Sequence, residues 1–368
     1  MKAKLQFLLP GEQARMMLIA ACIGVMAGCA IIVFRETVDL VHELLFVRGH
    51  ELLRIGEGGW RRLLLPLLPI TGALLLIPLS LAFPGEVNGY GLPNFLRRVN
   101  LENGVIRFRT IFIKTIATAL TIGSGNSAGV EGPIAQIGGA LGSQMGQRFR
   151  VSGRRMKVYI AAGCAGGIAG IFNAPLAGMF FASEMVLLGT YEISSFSALV
   201  IASALSTVVS RAYYGEIPAF PIPDYTIVNA FVELPLYTLM AVIVGVAAAL
   251  YIRMFYSVRD WFQRLRLHPQ AKPVLGALMV GGIALFFPQV MGDGYDYIAK
   301  TLAGDALVWR MAALVLLKSV ATAITLGSGN AGGAFAPSLF IGAVLGAASG
   351  GVVHQFLRGS PATPGALA

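Results

Sequence analysis

The chain has 368 residues, 56% of them hydrophobic and only 12% charged, with a mean hydropathy of +0.73. Soluble domains carry about twice that share of charge, so a soluble enzyme or binding module is excluded, and apolar runs that are continuous rather than alternating exclude a β-barrel. The net charge of +10 sits largely in short segments, Arg148 to Lys157 and Arg253 to Lys272, which read as cytoplasmic flanks of membrane helices in contact with lipid headgroups rather than as a nucleic-acid surface.

In chain order, Lys2 and Lys4 precede a first apolar run over residues 16–34. No small-residue cleavage site stands before Phe34, so a retained membrane helix is expected rather than a removed leader. Further apolar segments follow near residues 63–83, 111–122, 134–145, 158–171, 174–190, 196–210, 234–256, 274–288, 309–326 and 338–357. A simple span needs about 20 apolar residues. Segments 134–145 and 158–171 fall short and are interrupted by glycine, which is tolerated where backbone ends are buried in protein or line a polar cavity. Tyr213–Glu233, with Pro218, Pro221 and Pro223, reads as an ordered loop outside the hydrocarbon, and the basic stretch 253–272 as cytoplasmic. Cys22, Cys29 and Cys164 lie in apolar segments and read as small packing residues. His42, His50, His268 and His354 are scattered and form no metal or triad spacing, so neither an enzyme nor a cofactor is expected.

One stretch occurs twice. Lys114–Pro133 (KTIATALTIGSGNSAGVEGP) and Lys318–Pro337 (KSVATAITLGSGNAGGAFAP) align without a gap at a constant offset of 204, with 11 of 20 positions identical. In a chain this apolar, such a repeat means two structural halves, an arrangement that transporters use to place a site at the junction. The expected organisation is a first half over 1–212, a connection over 213–272 with a membrane helix near 234–256, and a second half over 273–368. At the same offset the second half would run past Ala368, so it is expected to be incomplete, ending in the loop-like Gly359–Pro364.

Both copies break at Gly-rich sequence ending in proline, Gly123–Pro133 and Gly327–Pro337. Glycine permits a sharp turn, and proline is tolerated in a helix's first turn. Helices over 134–145 and 338–357 would thus present N–H groups and about half a positive charge each to the breaks, an arrangement that holds an anion weakly enough to release it. Glycine-mediated helix packing explains the glycines but not the paired Gly…Pro breaks. Glu131 stands in the first break where the second has Phe335; it is either a functional carboxylate or an N-terminal capping glutamate, and the repeat favours function. Gly89-Tyr90-Gly91-Leu92-Pro93 is a third break, echoed by Gly292-Asp293-Gly294-Tyr295 at an offset of 203; alone it would read as a turn. Glu184, in the helix opened by Asn173-Ala174-Pro175-Leu176-Ala177-Gly178, is a proton relay or, in the favoured reading, a satisfied structural residue. Lys114 and Lys318 occupy matching places in apolar helices and either shape the anion's electrostatics or pair with backbone carbonyls.

These motifs together resemble the CLC family of chloride channels and chloride/proton antiporters. Gly89–Pro93 looks like the family's GSGIP, Gly129–Pro133 like its G[KR]EGP, Gly333–Pro337 like its GxFxP, and the NAPLAG at 173–178 is typical of it. Order and spacing agree over essentially the whole chain. The resemblance implies an all-α polytopic membrane protein of inverted-repeat architecture, with broken and short helices whose N-termini meet at a central anion site. It implies a homodimer, multi-pass in the bacterial inner (plasma) membrane, carrying chloride and, in antiporters, protons. Carried over residue by residue, Glu131 resembles the gating and proton-exchanging glutamate. Ala334, Phe335 and Ala336 would hold the central anion, Val130, Glu131 and Gly132 would face the outer site, and Gly89, Tyr90 and Gly91 the inner one.

Four departures qualify the resemblance. Tyr90 replaces the usual serine, which leaves selectivity open and fluoride as a minor alternative. Val130 replaces a basic residue beside the gate. Met185 stands at the inner proton-glutamate position and cannot carry a proton. The family's last helices, with a tyrosine that touches the central anion, would lie beyond Ala368. Passive or weakly coupled chloride conduction gated by Glu131 is therefore expected ahead of chloride/proton exchange, and a truncated, non-transporting membrane fragment is the alternative of another class.

Overall fold

The computed structural model describes residues 11–87, 89–151, 153–189, 193–216, 230–303 and 308–356. Lys2, Lys4, most of the 213–233 connection and Gly359–Pro364 lie outside them. The described chain is helical: α1 (Glu12–Val41), a π-turn over His42–Val47, α2 (Arg48–Leu52), α3 (Leu67–Ala82), α4 (Leu92–Leu101), α5 (Arg109–Gly123), α6 (Glu131–Arg148) and α7 (Arg154–Phe172). There follow α8 (Pro175–Met185), α9 (Ile193–Tyr214), α10 (Ala230–Arg264), α11 (Ala271–Ala284), α12 (Tyr295–Leu302), α13 (Val308–Ser328) and α14 (Phe335–Phe356). Six stretches are long and apolar enough to cross a membrane: Glu12–Leu52, Gly59–Ala82, Ser195–Tyr214, Leu234–Arg264, Val308–Ser328 and Phe335–Val352.

The helices differ from the apolar segments in instructive places. α6 and α7 run to 18 and 19 residues, well past the apolar stretches 134–145 and 158–171. Fourteen residues of each are buried in protein, so neither needs an unbroken apolar surface for lipid. Asn173, in the left-handed conformation (φ 56°), ends α7, and Pro175 in the first turn starts α8. α8 then stops at Met185, short of the apolar sequence that continues to 190. α10 absorbs much of the basic stretch, running to Arg264. α4 and α12 match no apolar run. They are short helices with one polar face, each starting just after a Gly-x-Gly turn.

Two compact units form. The first gathers residues 1–37, 91–116 and 131–219; the second gathers 38–90, 117–130 and 220–368. In the first, α6 and α7 cross at the closest approach backbones allow: a Cβ on Gly138 would stand 2.1 Å from the Gly163 carbonyl oxygen, and one on Gly142 2.0 Å from that of Tyr159. α9 clasps α7 through hydroxyls, Ser206 donating to the Gly166 carbonyl at 2.7 Å and Ser210 to that of Gly170 at 2.9 Å. In the second unit, Leu68 of α3, Phe262 of α10, Val280 of α11, Leu314 of α13 and Phe340 of α14 form the buried core.

Candidate functional site

Within the second unit the two breaks meet, and they meet reciprocally. Gly129 N–H donates to the Gly333 carbonyl at 2.7 Å, and Gly333 N–H returns the bond to Gly129 at 2.8 Å. These residues are each other's counterparts in the repeat. A residue that pairs with its own equivalent lies on a local two-fold axis, as in an isologous interface.

The pairing extends outward with the same symmetry. Thr121 Oγ1 accepts from Ala331 N–H and Thr325 Oγ1 accepts from Ser127 N–H, both at 3.2 Å. Asn126 donates to the Pro69 carbonyl at 3.0 Å and to Ser124 at 3.2 Å; Asn330 donates to Pro273 and Ser328 at the same two distances. Gly89 N–H reaches the Gly329 carbonyl at 3.1 Å, and Gly292 N–H reaches that of Gly125 at 3.4 Å. Gly125 (φ 96°) and Gly329 (φ 109°) are the left-handed positions that turn each copy out of its helix. The third break and its echo at 292–295 are therefore built into the same symmetric frame, and Tyr90 also bridges to Gly332.

One pair is unequal. Ser127 Oγ and Thr322 Oγ1 lie 3.0 Å apart, but the counterpart of Ser127 is Ala331. Thr118, the counterpart of Thr322, is fully buried and its hydroxyl has no hydrogen-bond partner among the described residues.

Each repeat lysine lies beside a Gly-x-Gly turn. Lys318, fully buried, donates to the carbonyls of Val290 at 3.0 Å and Gly292 at 2.8 Å, and its Nζ stands 5.2 Å from the Phe340 ring centre. In the first unit Lys114 approaches the other turn: a Cβ on Gly91 would stand 2.9 Å from Lys114 Nζ and 2.8 Å from Gln136 Oε1. Burial pushes the Asp293 carboxyl up, against the Tyr295 N–H bond and the Lys318 charge, which pull it down. Burial also pushes the Tyr90 phenol up, with Tyr256 adding to the effect, so Tyr90 remains a neutral hydrogen-bond donor.

Glu131 is the first residue of α6 and 1% exposed, with Gly132 and Pro133 buried beside it. Val130 is buried, Ala334 directly precedes α14, and Phe335 and Ala336 start it, with Pro337 in the first turn. Glu184 lies on the last turn of α8, not inside the protein. It is exposed there beside Met185, itself 37% exposed. Among the described residues no cluster of three or more His, Cys, Asp or Glu could hold a metal. Thr121, Thr325, Asn126 and Asn330 carry the frame yet read as ordinary repeat residues. Their signal lay in the offset, which also relates Pro69 to Pro273 and Gly72 to Gly276.

A family profile described as voltage gated chloride channel matches residues 71–368. The chain belongs to the CLC family. A ClcB-like chloride channel protein of Ralstonia nicotianae is 30% identical, covering 95% of this chain and 82% of its own. The H(+)/Cl(−) exchange transporter ClcA of Vibrio vulnificus is 31% identical over 99% of this chain and 79% of its own. Arabidopsis thaliana CLC-f is 33% identical over 95% of this chain, which spans only 46% of that longer protein. The crystal structure of a slow cyanobacterial Cl−/H+ antiporter superposes with a TM-score of 0.83 at 23% identity, covering 95% of this chain and 82% of that one. The CLC chain is thus an all-α, multi-pass integral membrane protein with the inverted-repeat fold.

Proposed function

We propose that this CLC chain carries inorganic anions, chloride foremost, across the bacterial inner membrane, and that Glu131 exchanges protons against them. The observation that carries the reading is a carboxylate buried at a helix start, in one of two breaks that pair across a local two-fold axis. A buried carboxylate at such a place is costly unless its charge is used. Ala334, Phe335 and Ala336 would meet the central anion, Val130, Glu131 and Gly132 the outer one, and Gly89, Tyr90 and Gly91 the inner one. Exchange is placed first because ClcA, similar over almost the whole chain, is an H(+)/Cl(−) exchange transporter. This reverses the order expected from Met185. Passive conduction remains the second reading, since methionine cannot relay a proton. The working form is proposed to be a homodimer.

The test is proton uptake into liposomes driven by an outward chloride gradient. Exchange predicts uptake that vanishes in Glu131→Gln, together with the pH response of chloride flux. Chloride flux without proton uptake would favour conduction. Flux that keeps its full pH response in Glu131→Gln would remove Glu131 from the gate.

A further inference from the structure

The chain holds a second doubling, unrelated to the long repeat. Arg107-Phe108-Arg109 leads into α5, and Arg148-Phe149-Arg150 leads out of α6. Both triplets lie in the first unit, and all six residues are exposed, Phe108 by 56% and Phe149 by 53%.

Side chains of α6 bring the triplets together. Ile106, just before the first triplet, has both backbone groups held: its N–H donates to Ser143 Oγ at 2.9 Å, and its carbonyl accepts from Gln144 Nε2 at 2.6 Å and Gln147 Nε2 at 3.0 Å. Ser143 also donates to the Gly104 carbonyl at 2.7 Å, which pins the loop before α5 at a second point. Gln147 is the residue just before the second triplet, so the two triplets start side by side.

Their setting is strongly basic. Segments 97–109 and 148–157 hold nine cationic residues and one acidic, Glu102, which pairs with Arg97 at 3.4 Å. Like charges gathered on one surface repel each other and attract anions. The phenyl rings indicate which anion. Phe108 meets Phe112, one turn on, with ring centres 5.4 Å apart, and Ile116 continues the exposed apolar stripe along α5. In an integral membrane protein such a stripe suits lipid chains, and the first triplet stands where the stripe ends. Arginine forks match phosphate, and an aromatic ring beside them enters the boundary between headgroups and acyl chains. An acidic protein partner would use the arginines but not phenyls continuous with a lipid-facing stripe.

We propose that the paired Arg-Phe-Arg triplets form a binding site for an anionic phospholipid, with the guanidiniums on phosphate and the phenyls on acyl chains. The inference rests on the chain's place in a membrane and not on the transport reading. The basic stretch 253–272 supplies the contrast: it continues the end of α10 and contains no such triplet.

The probe is cardiolipin, which carries two phosphates, titrated into detergent-purified protein and followed by native mass spectrometry. Phosphatidylcholine, with no net charge, is the control lipid. Arg107→Gln with Arg148→Gln removes one guanidinium from each triplet, and Arg253→Gln with Arg264→Gln removes the same charge from the other stretch. An arginine at an anionic lipid surface is worth about fivefold in affinity, so the first pair should bind cardiolipin about twenty-five-fold more weakly while the second binds it almost unchanged. Equal losses in the two pairs, or phosphatidylcholine bound as tightly as cardiolipin, would reduce the effect to general attraction and overturn the site. Phe108→Ser with Phe149→Ser should also weaken cardiolipin binding. No loss there, or displacement of cardiolipin by inorganic phosphate at equal concentration, would mean that the triplets bind phosphate and not lipid. Thermal midpoints check that each variant folds. Amide hydrogen exchange on the unaltered protein needs no variant: cardiolipin should slow exchange over residues 106–109 and 147–150, and slowing confined to other segments overturns the assignment.

Discussion

Lys318 shows how a charge is made tolerable in the membrane interior. It is fully buried, yet two carbonyls accept from it and the Asp293 charge lies close by. The sequence left two roles open, tuning the anion's field or pairing with backbone, and the geometry favours the second. Removing the ammonium leaves two carbonyls without their donor and the nearby Asp293 carboxyl without its compensating charge. Lys318→Met should cost about 3 kcal/mol, the range found when one member of a buried pair is deleted. Differential scanning fluorimetry in detergent would show a lower midpoint. Adding Asp293→Asn should recover part of the loss, because the stranded carboxylate is gone; strictly additive losses would mean the two groups are not coupled.

At the scale of elements, the helices that sequence reading found too short turned out to be the most buried. α6 and α7 are not shortened spans but full helices whose ends carry glycine, serine and glutamine. Hydrophobicity measures fitness for lipid, and these helices face protein. The same reasoning explains why α4 and α12 escaped notice, since a short helix with one polar face has no apolar run to find. Glycine content was legible, but which glycines touch was not. Gly142 and Gly245 are indistinguishable in sequence. A Cβ on Gly142 would strike the Tyr159 carbonyl at 2.0 Å, whereas one on Gly245 of α10 would meet nothing within 4 Å. Gly142→Ala should therefore force α6 and α7 apart and destabilise by about 1–3 kcal/mol. Gly245→Ala should be neutral or gain up to about 1 kcal/mol from helix propensity. Comparing the two midpoints in one detergent checks the claim, and equal values would show that α6 and α7 do not pack as closely as described.

For the whole molecule, the repeat was legible as two halves because twenty ungapped positions kept their offset. What it concealed was reciprocity. Nothing in the letters says that Gly129 pairs with Gly333, or that each copy's threonine serves the other copy's amide. A repeat aligned in sequence does not state whether its copies stack, face or cross. The symmetry is also imperfect in a way that makes it testable. Thr322 has Ser127 at 3.0 Å, while the position equivalent to Ser127 in the second copy is Ala331, and Thr118, the counterpart of Thr322, is buried with no hydrogen-bond partner among the described residues. If the two-fold relation holds at atomic level, a serine at 331 would point toward Thr118 as Ser127 points toward Thr322. Ala331→Ser should then raise stability by about 1 kcal/mol, the usual net worth of a hydrogen bond that satisfies a buried group. The gain should disappear when Thr118→Val removes the receiving hydroxyl, which distinguishes a new bond from a general effect of serine. A midpoint that falls in Ala331→Ser would mean that the space beside Thr118 is not the mirror of that beside Thr322. The local two-fold would then stop at the backbone, and the two breaks would owe their similarity to ancestry rather than to a shared set of side-chain contacts.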